Sequence, residues 1–276
     1  AAKAYKVASS VTSTDVFEVE SDKQLYNAED YVRYWLYAGM VAIGLKQWET
    51  AIDALRNCIT TPATALSAVV IEAFKKFVLV SLIARGNVAE LPRYTPAVVT
   101  HNKEHFASPY LLLAEAFGKF DDAALLKIAT DSKAAFDEDK NFGLVKQAVS
   151  SLTRRKVQRL TDFYVTVSLA DIAKNVSMEP AEAESLVVEM IGTGEICASV
   201  DQARGMVTFH DSPDSYASPA ALARLNAEVG AAMKLSERLR VVDEEMQMDD
   251  RYVRRSILME RRGSGAAGAG GMAGMP

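Results

Sequence analysis

The fold is decided by residues 163–210, which read FYVTVSLADIAKNVSMEPAEAESLVVEMIGTGEICASVDQARGMVTFH. The β-branched and aromatic run from Phe163 to Val167 predicts a short strand. Apolar residues at three- and four-residue spacing then predict two helices, and an alternating pattern predicts a hairpin in which Gly205 has a positive φ. Leu144, Ala148 and Leu152 predict a further helix before the strand. Helix, strand, two helices and hairpin is the order of a winged helix, and the hydrophobic period changes from 3.6 to 2 where that fold requires it.

The ends of the two helices carry local signals. Ser168 and Asp171 have the spacing of a capping box at the start of the first helix. Pro180 stands in the first turn of the second helix, a position that tolerates a missing N–H, and Gly192 and Gly194 follow its last apolar residue. These signals make residues 141–212 a winged-helix module.

The chain before this module has the period of paired helices, over residues 26–140. Its first pair partly fits the tetratricopeptide pattern of aromatic, small, aromatic, alanine and small residues at Trp35, Gly39, Trp48, Ala51 and Cys58. An ordinary helical hairpin is the alternative interpretation. Further helical pairs follow, so the predicted fold class is mainly α, an α-solenoid of TPR-like repeats that leads into the winged helix. Residues 1–25, rich in Ser and Thr, are predicted to be irregular.

After the module, residues 213–262 are predicted to be a linker and one long helix from Ala220 to about Arg262. This helix has too little chain around it to bury its apolar residues, so we expect it to bundle with helices of partner chains. The alternative is that it folds back on the winged helix. The residues expected in the bundle are Leu222, Leu225, Val229, Met233, Leu239, Val242 and Met246. The Gly- and Ala-rich residues 263–276 are predicted to be a disordered tail.

Composition and motifs argue against several functional classes. Two cysteines, Cys58 and Cys197, cannot form a disulfide framework, and both lie among apolar neighbours as buried residues would. The sequence has no phosphate-binding glycine loop. His101 and His105 are four residues apart, but HNKEH lacks a glutamate at the second position of a zinc-protease motif. We therefore predict no catalytic, cofactor or metal site.

Nucleic-acid binding is the rival function for a winged helix. Six acidic residues stand against Lys174 between Ser168 and Ile196, and the would-be recognition helix, residues 178–191, has no basic residue. Phosphate charge would repel it, so nucleic acid is not expected as a partner. A basic run does precede the strand, at Arg154, Arg155, Lys156 and Arg159, and is either a solvated face or a contact for an acidic partner.

The stretches at residues 143–176, 189–216 and 91–95 resemble the PCI-domain family of the COP9 signalosome, and within it the subunit 3 family. The resemblance implies a scaffold in a nuclear and cytoplasmic complex that removes the modifier NEDD8 from cullins and so regulates cullin-RING ubiquitin ligases. It also implies that catalysis belongs to another subunit, that PCI subunits join through winged-helix sheets and bundled C-terminal helices, and that subunits 1 and 8 are neighbours. A PCI subunit of the proteasome lid or of a translation initiation factor is the alternative.

Edge strands of the winged-helix sheet carry unpaired backbone groups that a partner strand can bind. On that argument the predicted contact residues on the hairpin are Ile196, Ala198, Val200, Met206, Thr208 and His210.

Overall fold

The computed structural model describes residues 5–12, 16, 27–202, 204–210, 219–255 and 257. The chain divides into two compact units, residues 1–211 and residues 212–276. Within the described residues, the first unit holds a series of helices that leads into a winged helix, and the second holds a long helix. The mainly α fold with a small sheet is therefore confirmed.

The helices before the winged helix are α1 (Tyr5–Thr12), α2 (Ala28–Gly44), α3 (Trp48–Thr60), α4 (Ala68–Arg85), α5 (Ala97–Phe106), α6 (Ser108–Gly118), α7 (Asp122–Asp131) and α8 (Lys133–Glu138). The winged helix consists of α9 (Phe142–Phe163), β1 (Thr166–Ser168), α10 (Leu169–Val176), α11 (Pro180–Gly192), β2 (Ala198–Asp201) and β3 (Met206–Phe209). The second unit contains α12 (Pro219–Met248).

Helix α1 shows that the prediction of an irregular segment over residues 1–25 is wrong for residues 5–12. Its Ser- and Thr-rich sequence gives little local signal for a helix. The cause lies in a contact with α2, where the ring of Tyr5 lies so close to Gly44 that a Cβ there would be 2.8 Å from three ring atoms. Contact with a neighbouring helix stabilises α1 where its own propensity does not.

The α2–α3 hairpin depends on a close approach of two helix backbones. A Cβ on Gly39 would lie 2.8 Å from both Cγ and Cδ2 of Leu55, which is completely buried. The Cys58 thiol, also buried, donates to the Val32 carbonyl across the same interface at 3.4 Å, and burial raises its pKa to about 12. The small residue Gly39 therefore allows the two helix backbones of this pair to approach closely. Cys197, by contrast, is only half-buried.

A polar network joins the later repeats to the start of α9. The Asp139 carboxylate accepts hydrogen bonds from Lys75 Nζ at 2.7 Å and from the Tyr110 hydroxyl at 2.8 Å. The side-chain amide of Asn141, fully buried, donates to the Tyr110 oxygen at 3.1 Å. Charged and polar groups away from water need such partners, so the network fixes α4 and α6 relative to the loop before α9.

The winged helix has the predicted order of elements, with one boundary displaced. The strand predicted at residues 163–167 is β1 at Thr166–Ser168, because α9 remains helical through Phe163. Ser168 caps α10 by accepting the Asp171 N–H at 3.1 Å, but the Asp171 carboxylate accepts from the Ser168 hydroxyl at 2.7 Å and not from its backbone. The predicted capping box is therefore only half formed. Gly205 has φ +63°, as predicted for the hairpin turn.

Two separate hydrophobic clusters fill the first unit. The cluster of the helical repeats ends along the chain at Leu152, and the cluster of the winged helix begins at Val157. Both residues lie on α9, five positions apart. Helix α9 therefore belongs to both parts of the unit.

The second unit departs from the prediction of one helix to about Arg262. Helix α12 ends at Met248, and residues 250–255 form a new helical segment. Asp249 is not helical and its carboxylate accepts the Arg251 N–H at 2.8 Å, which is how an N-terminal cap starts a helix. Two predicted segments lie outside the described residues. These are most of the linker, within residues 211–218, and the tail at residues 263–276.

The close approach at Gly39 gives a stability prediction. We expect Gly39→Ala to lower the free energy of unfolding by about 1–3 kcal/mol, because its Cβ would overlap the Leu55 side chain. Gly143→Ala in α9 is the control, since nothing lies within 4 Å of its Cβ, and it should leave stability unchanged or raise it by up to about 1 kcal/mol. Urea unfolding followed by circular dichroism measures both. Equal effects would contradict the close approach.

Candidate interaction surfaces

The sheet of the winged helix has the order β1–β3–β2, with antiparallel pairing throughout. Strand β3 is central, so the prediction that Met206, Thr208 and His210 lie at a sheet edge is wrong. The hairpin alone suggests two open strands, but β1 pairs with β3 through Thr166–Thr208 and Val167–Val207. The two edges of the sheet are therefore β1 and β2.

The hydrogen bonds show which backbone groups are open. Phe209 N–H donates to Val165 O, and His210 N–H donates to Cys197 O, both at 2.8 Å. Bonding direction alternates along an antiparallel strand, so the odd residues of β3 bond β1 and the even residues bond β2. By the same alternation, the N–H and C=O groups of Ala198 and Val200 point away from β3 at the β2 edge.

The side chains at the β2 edge serve the module itself. Ile196 precedes the strand and is 6% exposed in the winged-helix cluster, so its prediction as an edge residue is wrong. Ala198 and Val200 are half-buried against the same cluster. The groups of this edge that are open to a partner are therefore mainly backbone N–H and C=O groups. His210 is exposed, and its Nε2 lies 2.9 Å from Ser199 Oγ.

An apolar surface next to β1 was not predicted as a contact. Phe163, Tyr164 and Val165 are 69%, 53% and 74% exposed and lead directly into the edge strand. The sequence signal was present, because a run of aromatic and β-branched residues favours a strand. Interpreting the run as a strand gave no reason to expect that all three side chains reach solvent.

The α12 residues predicted for a bundle are exposed in the structure. Their exposed fractions lie between 48% and 69% for Leu222, Leu225, Val229, Met233, Leu239, Val242 and Met246. Leu235, at 53%, and Val241, at 44%, are exposed as well and were not predicted. Contact of these residues with a partner stays a prediction.

The apolar surface of α12 changes direction along the helix. At about 100° per residue, Leu222, Leu225, Val229 and Met233 occupy one arc. A second arc, rotated by roughly 115°, contains Leu235, Leu239, Val242 and Met246. The change falls at Lys234–Leu235–Ser236, between Met233 and Leu239, which are six positions apart among the residues predicted for the bundle. One straight partner helix cannot cover both arcs. Helix α12 therefore has two apolar faces, one in each half.

The basic run on α9 is engaged within the chain. Arg154 forms ion pairs with Glu195, at 2.6 Å, and Glu189, and Lys156 forms one with Asp122. Arg155 donates to the carbonyls of Ile83 and Ala84, and the Arg159 guanidinium lies 4.8 Å from the Phe120 ring centre. Burial lowers the pKa of Arg154, but the hydrogen bonds and charges of Glu189 and Glu195 outweigh it and leave that pKa raised.

The interpretation of the basic run as a solvated face is therefore wrong for Arg154, Arg155 and Lys156, whereas Arg159 is exposed. Contact of the run with an acidic partner stays a prediction. The acidic groups that these side chains meet belong to the chain itself, and Lys156 is only 15% exposed. Sequence distance concealed them, because Asp122 and Glu189 lie more than thirty residues from the run.

His101 and His105 lie on α5 and are both exposed. No group of three or more His, Cys, Asp or Glu side chains suited to a metal ion occurs among the described residues. Of the helices that the structure describes, none is both long and apolar enough to span a bilayer.

Comparison with known proteins covers most of the chain. The family model of COP9 signalosome complex subunit 3, N-terminal helical repeats, matches residues 1–99, and the PCI domain model matches residues 114–211. COP9 signalosome complex subunit 3 of Arabidopsis thaliana is 37% identical over 91% of this chain and 58% of the relative. The Dictyostelium discoideum protein of the same name is 32% identical over 92% of this chain and 60% of the relative. The chain thus spans somewhat over half the length of these relatives.

The acidic α11 gives a binding prediction. We expect no binding of duplex DNA at low salt, because Glu182 and Glu189 are exposed on the helix that would enter the major groove and α11 has no basic residue. A mobility-shift assay with the full chain measures this. A shift that weakens steeply as salt rises would contradict the prediction.

Proposed function

This chain belongs to the COP9 signalosome subunit 3 family, and we propose on that basis that it is a non-catalytic scaffold subunit of the COP9 signalosome. The observation that carries the proposal is the exposed apolar surface along both halves of α12. Such a surface stabilises a complex when partner helices cover it, since burial of apolar area is the main driving force of association.

The wider function follows from the resemblance. Through the complex, the chain takes part in removing NEDD8 from cullins and so in regulating cullin-RING ubiquitin ligases. Subunits 1 and 8 are the proposed neighbours, and the nucleus and cytoplasm are the proposed locations. These statements rest on the family, and the scaffold role rests in addition on the surfaces of this chain.

The family match favours the COP9 signalosome over the other assemblies that contain PCI subunits. A PCI domain alone fits the proteasome lid and translation initiation factors as well. The model that matches residues 1–99 describes helical repeats of COP9 signalosome subunit 3, and it includes α1, which carries little signal of its own. The COP9 signalosome is therefore the assembly we propose.

The β2 edge supports a second contact. The outward N–H and C=O groups of Ala198 and Val200 can pair with a strand of a neighbouring subunit, which extends the sheet. Strand β2 has four residues and β1 has three, and α10 follows β1 without a gap. The β2 edge therefore offers the longer ladder, and we assign the sheet contact to it.

The bundle surface can be tested by placing a charge on it. We expect Leu239→Glu to abolish co-purification of the other COP9 signalosome subunits, because a carboxylate would be buried in the helical bundle without a partner. The measurement is affinity purification of the tagged chain from cells followed by mass spectrometry.

The matched control is Leu126→Glu on α7, since Leu126 is 53% exposed and Leu239 is 61% exposed. This variant should retain the neighbours. Undiminished recovery with Leu239→Glu, or equal loss with both variants, would disprove the role of α12.

The sheet contact can be tested with proline. Ala198→Pro removes an N–H that points away from β3 and should weaken binding of a co-expressed neighbouring PCI subunit while the sheet stays folded. Ser199→Pro removes an N–H that faces Thr208 of β3 and should unfold the hairpin itself. Pull-down together with thermal melting separates the two effects. A folded Ala198→Pro chain that binds normally would remove the β2 edge from the interface.

A further inference from the structure

The helical repeats and the winged helix meet where neither hydrophobic cluster reaches. Along α9, the repeat cluster ends at Leu152 and the winged-helix cluster begins at Val157. Arg154, Arg155 and Lys156 occupy the interval between them. Polar side chains therefore occupy the part of α9 that lies between the two hydrophobic clusters.

These three side chains reach three different elements. Arg154 pairs with Glu189 at the end of α11 and with Glu195, which follows that helix. Lys156 pairs with Asp122, in the first turn of α7. One segment of less than a helical turn thus joins the winged helix to the repeats.

Arg155 makes the third connection, to the end of α4. Its guanidinium donates to the backbone carbonyls of Ile83 and Ala84, in the last turn of that helix. Helix C-termini carry partial negative charge and unpaired carbonyls, so a cation there is favourable in both respects.

The space beside these contacts is a cleft and not a packed interface. It has a volume of about 670 Å³ and lies between the α3–α4 pair and the winged helix, lined by Lys46, Trp48, Gln147, Arg154, Glu189 and Glu195. Apolar packing therefore contributes little to the angle between the two parts on this side.

We propose that Arg154, Arg155 and Lys156 form an electrostatic clamp that fixes the orientation of the winged helix on the helical repeats. These side chains are positioning residues, because they hold the sheet edge at a set angle and need no contact with a partner. The clamp lies wholly within the first unit, so it stands or falls independently of the proposed role in the complex. The competing explanation is that the continuous α9 helix sets the angle alone.

The test measures a distance across the clamp in the full chain. Spin labels are attached at Lys103→Cys on α5 and Ser185→Cys on α11, both exposed positions, in a Cys197→Ser background that keeps the buried Cys58. Pulsed electron paramagnetic resonance then gives the distribution of the label-to-label distance.

We expect Arg154→Glu to shift the mean distance by several ångströms and to broaden the distribution, because it sets like charges against Glu189 and Glu195. Adding Glu189→Arg and Glu195→Arg to that variant restores opposite charges and should restore the narrow distribution. Arg155→Ala should also broaden it. The control is Arg204→Glu, since Arg204 is 83% exposed and pairs only with Asp201 of its own hairpin among the contacts described.

Salt provides a test without mutation. In the unsubstituted clamp, raising the ionic strength to about 1 M shortens the screening length to about 3 Å and should broaden the distribution, with the circular dichroism spectrum unchanged. If the distance distribution is unchanged in Arg154→Glu, in Arg155→Ala and at high salt, then α9 alone fixes the angle and the clamp does not exist.

Discussion

Continuity of α9 is the constraint on which the first unit depends. This helix supplies Val145 and Leu152 to the core of the repeats and Val157 to the core of the winged helix. A fully buried apolar residue typically contributes about 1.5–3 kcal/mol when it leaves water, so each end of α9 is held by its own cluster. The two cores are thereby held on one helix, and the side chains of the proposed clamp lie between them.

Close approach between helices determines the packing of the first helical repeats. Gly39 lets α2 approach Leu55 of α3 without a gap, and Gly44 admits the Tyr5 ring of α1. Further along the chain, the Asp139 carboxylate accepts hydrogen bonds from Lys75 of α4 and Tyr110 of α6. Small residues set the spacing of the first helical pairs, and a polar network around Asp139 sets the spacing of the later ones.

The second unit has the opposite character. Every residue of α12 whose burial is described, except Ala221 and Gly230, is exposed, and the apolar residues form two arcs in the two halves of the helix. A helix with no core of its own draws its stability from what covers it. The proposed roles follow this difference: the first unit holds the orientation of the winged helix, and α12 packs against helices of partner subunits.

The sequence by itself determined the local elements of this protein. Gly205, Pro180 and Ser168 act through their own backbone or their nearest neighbours, so their roles in the hairpin turn, in α11 and in the cap of α10 could be predicted. The apolar residues of α12 could also be predicted, because within each half of the helix they recur at three- and four-residue spacing.

Only the tertiary structure decided which strand is central, where Ile196 lies, why α1 is a helix and what Arg154 and Lys156 bind. Those outcomes depend on β1 pairing with β3, on Tyr5 meeting Gly44, and on Asp122 and Glu189 arriving beside α9. The partners in each case are far apart in the chain, and no local propensity records a contact that forms only when the whole unit has folded.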